Sequence, residues 1–360
     1  MMNILQIVQH LKTGGLETMV LDLMKNSQYC DTTYIVALEG NKEDALAAFP
    51  QLQRIEHRII CLNKAPGWKL GVVEQLTTII KEKRIDALHS HHIGPLIYGA
   101  MAQKQCKGVG HIHTIHDAWF LNTRRYRFMF QFIVKMTNVT LVADAKTVAN
   151  DIKDLAGINV DETILNGIDI TRYSSGDKMR ARQSLGLPLS EYLIGCAARL
   201  APGKGHKALI ETLAKLPESV HLVLAGQGEL GESLEALSQQ LKIAHRIHWL
   251  GQCEDMPSFY QAIDSFCLFS EREGLPLSVM EAIASYKPVV STNVGGIPEV
   301  VTSDVGMTLE PTNTRSLHSA LLESLRTPVD RTKVKALRKR IDVRTMSARY
   351  DALVKPMSFQ

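Results

Sequence analysis

The sequence predicts an α/β protein built as two parallel-sheet domains. Three observations lead there. Short β-branched runs alternate with helix-length segments along the whole chain, which is the rhythm of strands joined by crossover helices. That rhythm is interrupted once, by the polar, turn-rich stretch NGIDITRYSSGD (166–177), and then restarts. A chain of 360 residues also exceeds what one hydrophobic core comfortably serves.

In order, the first series of strands is NILQIVQ (3–9), TTYIVAL (32–38), HRIICL (57–62), DALHSH (86–91), VGHIHTI (109–115) and VTLVAD (139–144), with helices over 17–27, 70–83, 95–105 and 144–156 between them. The second series is YLIGCAA (192–198), VHLVLAG (220–226), RIHWLG (246–251), DSFCLFS (264–270) and KPVVST (287–292). The interruption at 166–177 is the expected linker. It separates an N-terminal domain, 1–170, from a C-terminal domain, 171–343, as two Rossmann-like halves facing each other across a cleft. The basic, apolar tail RTMSARYDALVKPMSFQ (344–360) reads as a final helix that crosses back onto the first domain. In such sheets ligands bind beyond the carboxyl ends of the strands, so the loops that follow strands are where function is sought.

Hydrophobic residues make up 45% of the chain and charged residues 22%, a globular and not a disordered balance. The net charge of +4 suits anionic small ligands or an acidic membrane surface. No nucleic-acid-binding signature accompanies it, so no nucleic-acid partner is expected. The six cysteines are scattered without a C-x-x-C pair and read as reduced core thiols of a cytosolic protein. The N-terminal residues show no basic region ahead of a long apolar run, so no signal peptide is expected. No apolar run approaches the roughly 20 residues of a membrane span, which limits any membrane contact to a peripheral one.

The loop after the first strand reads KTGGLET. Gly14 and Gly15 allow a ligand to approach the backbone, and Glu17 opens the following helix; a tight strand-to-helix turn accounts for the same residues. In the second domain ARLAPGKGHK follows a strand. Arg199 and Lys204 there flank the start of a helix, and a guanidinium, an ammonium and a helix N-terminus together suit a diphosphate. Farther on, LAGQGEL puts Gly226 and Gly228 at another strand end. EREGLPLSVMEA (271–282) carries two glutamates. Pro276 suits the first turn of a helix whose apolar stripe, Leu277, Met280 and Ala284, includes Glu281, while Glu273 precedes it. A carboxylate on such a stripe needs a partner: an ion pair within the core, or hydroxyls of a ribose. STNVGGIPEVV (291–301) is a further glycine loop after a strand, and the helix dipole accounts for Glu299.

Histidines cluster at 89, 91 and 92 and again at 111, 113 and 116. Asp117 is the one acidic neighbour at ligand spacing and no H-E-x-x-H occurs, so no metal site is expected. His116 and Asp117 read instead as polar groups aimed beyond a strand end. WFLNTRRYRFMFQFIVK (119–135) mixes Arg124, Arg125 and Arg127 with six aromatics. This fits a buried helix with a charged start, or a basic aromatic surface that meets anionic lipid or a lipid-linked substrate.

Taken in order, GGLET, HTIHD, ILNGID, RLAPGKG, LAGQGE, EREGLPLSVME and VGGIPEVV resemble the retaining GT-B glycosyltransferases of the family-4 type (glycosyl transferases group 1), over most of the chain. The resemblance implies an enzyme that moves a sugar from a nucleotide-sugar donor, a UDP-sugar, to a glycan or polyprenyl-linked acceptor, without cofactor or metal. It implies that Arg199 and Lys204 hold the diphosphate, that Glu281 binds the ribose, and that Glu273 with the loop Gly274, Leu275, Pro276 and Leu277 holds the donor sugar. It also implies that His116 lies near the transferred sugar and that Gly15 approaches the phosphates. Gly226 and Gly228 belong with the donor, and Gly14, Glu17, Asp117, Arg124 and Arg125 with the acceptor side. Two positions depart from the pattern: Ala198 stands where a glycine often precedes the arginine, and Gln227 where an acidic residue often sits between the glycines. Implied surroundings are the cytoplasm or the cytoplasmic face of the inner membrane, in the synthesis of bacterial exopolysaccharide, capsule or lipopolysaccharide. A sugar-nucleotide epimerase of the same architecture and a non-catalytic nucleotide-sugar-binding protein are the rival readings.

Overall fold

The computed structural model describes residues 2–12, 14–174 and 176–354. The chain divides into two compact units. One is the chain up to Gly167 together with the segment that starts at Val343, and the other is Ile168–Asp342.

The first unit is a seven-stranded sheet with β1 (Ile4–Val8), β2 (Thr33–Ala37), β3 (Ile59–Cys61), β4 (Ala87–His91), β5 (Gly110–Ile115), β6 (Val139–Ala143) and β7 (Glu162–Thr163). Its order is β3-β2-β1-β4-β5-β6-β7 and every pairing is parallel. The six expected strands are all present, within about three residues at either end. The largest trim is at β3, because Pro50–Arg58 winds as a 3-10 helix and takes up His57 and Arg58. The short edge strand β7, two half-buried residues, escaped the sequence reading because it is too brief to show a period. Val36, Leu5, Leu88, Leu141 and Val142 are fully or almost fully buried, as strands covered on both faces require.

The helix Val343–Val354 packs on this first unit against Gly15–Asn26. The Ser27 hydroxyl donates to Asp351 Oδ1 at 2.5 Å, the Gln28 amide donates to Oδ2 at 2.8 Å, and the Tyr350 hydroxyl lies 2.8 Å from Thr114 Oγ1. The rest of the expected terminal helix, 355–360, lies outside the described residues.

The second unit holds β8 (Tyr192–Ala197), β9 (Val220–Ala225), β10 (Ile247–Gly251), β11 (Ser265–Leu268), β12 (Val289–Thr292) and β13 (Gly306–Leu309), in the order β10-β9-β8-β11-β12-β13. Edge strand β13 was not expected: GMTL is half-buried throughout and shows no clear alternation. Asp177, Asp255, Asn313 and Asp330 cap helices by accepting backbone N–H bonds. In mid-strand, Gly195 has no room for a side chain, because a Cβ would stand 2.5 Å from Ile263 Cδ1 and 2.8 Å from Phe259 Cζ.

In both sheets the strand order reverses once, between β1 and β4 and between β8 and β11. Crossover helices leave to opposite faces on the two sides of such a reversal, which opens a crevice at the carboxyl edge where ligands bind.

Candidate functional site

At the reversal of the second sheet, the loop after β8 and the loop after β11 meet. The Glu271 amide donates to the Gly203 carbonyl at 2.8 Å. Gly205, with φ +75°, sits so close to the Phe269 carbonyl that a Cβ would lie 1.9 Å from its oxygen. This brings Lys204 and Glu273 together: the ammonium donates to Glu273 Oε1 at 2.7 Å, with the lysine 29% and the glutamate 10% exposed. Sequence reasoning gave these residues to different parts of a donor, and the structure makes them direct partners. Lys204 directly precedes the Gly205 cap of the helix His206–Leu213, so ammonium and helix dipole act at one place. Arg199, at the end of β8, is 72% exposed and lies 4.0 Å from Glu229, an acidic neighbour the sequence reading did not single out.

The neighbouring loops are stitched to the same edge. Leu200 N donates to the Gln227 carbonyl at 3.0 Å, Leu230 N to the Leu200 carbonyl at 2.9 Å, and Gly296 N to the Gly274 carbonyl at 2.7 Å. Gly226 and Gly228 are required by this stitching: a Cβ would stand 2.0 Å from the Ala198 carbonyl oxygen and 2.3 Å from that of Leu200 respectively. Their close approach is therefore to the β8 loop, a reason internal to the protein that their sequence pattern does not reveal. Gly295, at φ +54°, is likewise pressed on the Glu273 carbonyl.

The helix of EREGLPLSVMEA runs from Leu277 to Ala284, and Pro276 is its cap residue, one place earlier than expected. Met280 and Ala284 are fully buried, while Leu275 is almost so and Gly274, Pro276, Leu277 and Glu281 are half-buried. Glu281 has partners inside the protein that the sequence did not disclose. The Tyr173 hydroxyl donates to Oε1 at 2.7 Å and the Tyr260 hydroxyl to Oε2 at 2.8 Å. Burial and then the Glu273 charge push the buried Cys196 thiol up to about 12, which keeps it protonated.

In the first unit, the helix after β1 starts at Gly15 with Gly14 as its extended cap, two residues earlier than expected. Glu17, in its first turn, is buried and lies 3.1 Å from His10 Nδ1, a contact that raises the histidine's pKa. Thr13 of the same loop is outside the described residues.

The expected histidine clusters form two hydrogen-bonded sets on opposite faces of β4 and β5. On one face His89 Nε2 lies 2.8 Å from Thr114 Oγ1 and His91 Nε2 2.9 Å from Gln6 Oε1. On the other, the Ser90 hydroxyl lies 2.7 Å from His111 Nε2 and 2.9 Å from His113 Nδ1. Burial holds His89 and His111 down to about 3, and His91 and His113 well below the usual range, so all four are neutral. Among the described residues no three His, Cys, Asp or Glu side chains are grouped to hold a metal ion.

His116, at the carboxyl end of β5, has both ring nitrogens engaged: Nδ1 lies 3.3 Å from Asp144 Oδ2 and Nε2 3.1 Å from His91 Nδ1. Asp144 also accepts from Asn166 Nδ2 at 2.9 Å; burial pushes its carboxyl up while these two partners oppose the shift. Asp144 and Asn166 were missed because an aspartate closing a strand and an asparagine before glycine read as turn residues. Asp117 accepts from the Trp119 amide at 3.1 Å and does not bond to His116.

Arg124 and Arg125 open the helix Arg124–Met136 and are exposed. Only Phe130 and Ile133 of that helix are buried, whereas Phe128 is 68% exposed and Tyr126, Phe132 and Met136 are exposed beside it.

Two parallel sheets of this order, the second with a cation-and-carboxylate site on its carboxyl edge, are the architecture of the GT-B class. Comparison with known proteins gives the family. Residues 13–172 match the model "Glycosyltransferase Family 4" and residues 177–341 match "Glycosyl transferases group 1". The chain belongs to the family-4-type, group 1 glycosyltransferases, and is an enzyme of the hexosyltransferase class. One relative is the N-acetyl-alpha-D-glucosaminyl L-malate synthase of Bacillus anthracis, 25% identical over 270 residues, covering 72% of this chain and 71% of that protein. Another is the lipopolysaccharide core biosynthesis mannosyltransferase LpsB of Rhizobium meliloti, 29% identical over 193 residues, covering 50% of this chain and 52% of that one. HepE of Anabaena, solved with UDP and glucose, superposes with a TM-score of 0.83 at 22% identity over 99% of this chain and 100% of that one, and shows the shared fold.

Proposed function

We propose that the enzyme transfers a hexosyl group from a UDP-sugar to a saccharide or polyprenyl-linked saccharide, with retention of anomeric configuration, in the assembly of bacterial surface polysaccharide. The observation that carries this reading is the Lys204–Glu273 pair at the strand-order reversal of the second unit, 2.7 Å apart and beside a helix N-terminus. A cation that a diphosphate can claim stands in contact with a carboxylate that sugar hydroxyls can claim. The roles of Arg199 at the diphosphate and Glu281 at the ribose follow from the family resemblance, and HepE's UDP supports the choice of nucleotide.

The bond from the anomeric carbon to the leaving phosphate oxygen breaks, the electron pair goes to the nucleoside diphosphate, and the acceptor hydroxyl attacks the same face. The acceptor's proton passes to the departing phosphate. Lys204 and Arg199 offset the charge that grows there, so a metal ion is not needed for that purpose. His116, with both nitrogens engaged by Asp144 and His91, is poorly suited to be a general base, and this mechanism asks for none. On the first unit Gly14, Gly15, Glu17, Asp117, Arg124 and Arg125 remain the acceptor-side candidates.

The exposed aromatic face of Arg124–Met136 supports a lipid-linked acceptor. The helix carries Arg124, Arg125, Arg127 and Lys135 and no acidic residue, a combination that suits an anionic bilayer surface. No helix among the described residues is long and apolar enough to cross a membrane.

The test is a screen of UDP- and GDP-sugars for thermal stabilisation, because a ligand that binds the native state raises Tm. Proton NMR of the product formed by the best donor then reads the anomeric configuration. UDP-sugars are expected to stabilise, an α-linked donor to give an α-linked product, and turnover to survive a chelator. An inverted product would end the retaining mechanism. Interconversion of the donor without acceptor would favour the epimerase, and binding without any turnover the non-catalytic reading.

A further inference from the structure

Three side chains of the second unit converge on one carboxylate plane. Glu281 lies on the helix Leu277–Ala284, Tyr260 on the helix Met256–Ala262, and Tyr173 on the segment that carries the chain into this unit. Each hydroxyl takes a different oxygen, Tyr173 at 2.7 Å and Tyr260 at 2.8 Å. Two bonds to different oxygens of one carboxylate leave little freedom of rotation about its last torsion, which is otherwise broad. The rings brace each other edge to face, with centroids 5.7 Å apart, and Tyr260 is packed further against Phe259 and Phe266.

The needs of Tyr260 do not explain the arrangement. The Ser278 carbonyl lies 3.0 Å from the Tyr260 hydroxyl and could accept its single proton with no carboxylate present. Tyr173 is 4% exposed, so its hydroxyl needs a partner inside the protein, and Glu281 supplies it. Putting a carboxylate on a helix whose neighbours Met280 and Ala282 are fully buried costs desolvation, which the two hydroxyls help to offset. Burial, reinforced by the Glu281 charge, keeps the Tyr260 phenol protonated well above its ordinary range, so it stays a donor.

We propose that Tyr173 and Tyr260 are positioning residues that hold the Glu281 carboxylate, one oxygen each, in the plane in which it accepts the vicinal hydroxyls of the nucleotide's ribose. The inference rests on the proposed donor role of Glu281 and adds how that role is preset. Tyr173 gives it a second aspect. The Ile168 amide donates to the Ile341 carbonyl at 2.9 Å, and Arg338 donates to the Ile170 carbonyl at 3.0 Å. The entering segment is thereby tied to the segment that leaves the unit, and one of the two holds on Glu281 comes from this strap.

The experiment measures binding of UDP and GDP, and of their 2′-deoxy forms, by calorimetry to the full-length wild type, Tyr173→Phe, Tyr260→Phe, the double Phe variant and Glu281→Ala. The double Phe variant should bind the preferred nucleotide roughly tenfold or more weakly, yet bind its 2′-deoxy form with a much smaller loss, because one of the contacts being preset is then absent. In the Glu281→Ala background the tyrosine changes should add nothing, and with donor as substrate KM should rise by more than kcat falls. Equal losses for both forms of the nucleotide, or losses that add fully to those of Glu281→Ala, would mean the tyrosines serve only stability, and the proposal would fall while the ribose role of Glu281 stood. Unchanged affinity in Glu281→Ala would remove the ribose role itself. Failure of the wild type to bind any of the four nucleotides would overturn both. Should Tyr260→Phe unfold, Tyr173→Phe carries the same comparison with Tyr260 and its packing on Phe259 and Phe266 left in place.

Discussion

Lys204 and Glu273 hold each other at 2.7 Å, and their chemistry is interdependent. A carboxylate only 10% exposed needs the ammonium, while an arriving diphosphate offers that ammonium a stronger partner. Replacing Lys204 by alanine removes both functions and leaves Glu273 without its cation. Turnover with saturating donor and acceptor should fall by about 10²–10³-fold, the usual scale for one electrostatic group at a developing anion. Glu273→Gln, which keeps the shape and one accepting oxygen but not the charge, should fall less. Steady-state kinetics on the two variants checks this, and near-native turnover for Lys204→Ala would remove the lysine from the mechanism. At this scale the sequence was most informative where a charge stood out from its setting: Glu281 on an apolar stripe, and Lys204 and Glu273 beside glycines in loops that follow strands. Tyr173, Tyr260 and Asp144 do not stand out. An aromatic in PSFYQAI reads as core, and an aspartate after a strand reads as a turn; only the fold shows whom they face.

Among the elements, the strands were legible because parallel sheets demand continuous β-branched runs, and what was lost was lost at the edges. β7 has two residues and β13 lacks alternation, so neither carries a usable period. The glycine loops were legible as close approaches, but the partner was not: a sequence cannot say whether Gly226 makes room for a ligand or, as found, for the Ala198 carbonyl. The helix Arg124–Met136 was legible only as two alternatives. The structure selects an exposed aromatic face, with Phe128 and Phe132 stacked at 6.4 Å in the open and Phe130 turned inward. A bilayer is the partner we assign to it, so the full chain should sediment with vesicles containing phosphatidylglycerol and much less with neutral phosphatidylcholine. High salt should weaken the binding, as for any attraction between exposed charges. Replacing Phe128 and Phe132 by serine should lower it by an order of magnitude or more without lowering Tm, since both side chains already stand in solvent. Equal sedimentation with neutral and anionic vesicles, or no loss in the double variant, would dissociate this helix from any membrane role.

For the whole molecule, the two parallel sheets were legible in the strand-and-helix rhythm that stops and restarts, whereas the uneven chemistry of the two cores was not. Histidines 89, 91, 111 and 113 sit fully buried on β4 and β5, each neutral and hydrogen-bonded within its sheet. The second unit buries one histidine to the same degree, His206, which burial holds down to about 4. The unfolded chain protonates each of these near pH 6.5, while the folded first unit refuses the proton until about pH 3 at His89 and His111. The stability tied to the neutral rings is therefore complete above pH 6.5 and is lost as pH falls from there toward 3. His10 runs the other way, since its contact with Glu17 raises its pKa and favours the folded state as pH falls, but it is one half-exposed group against four buried ones. With up to about 1.4 kcal/mol per buried histidine per pH unit, and total stabilities of about 5–15 kcal/mol, one to two units of acidification should unfold the first unit ahead of the second. Calorimetry at pH 7.5, 6.5, 5.5 and 4.5 should show one transition splitting into two, the lower one falling steeply below pH 6.5. Peptide-resolved hydrogen exchange should assign the early loss to β4 and β5. His111→Gln, which loses the titration, should flatten that fall even though it lowers Tm at neutral pH. If the first unit keeps its Tm down to pH 5, or the second opens first, the buried histidines are not what sets the acid limit of this fold.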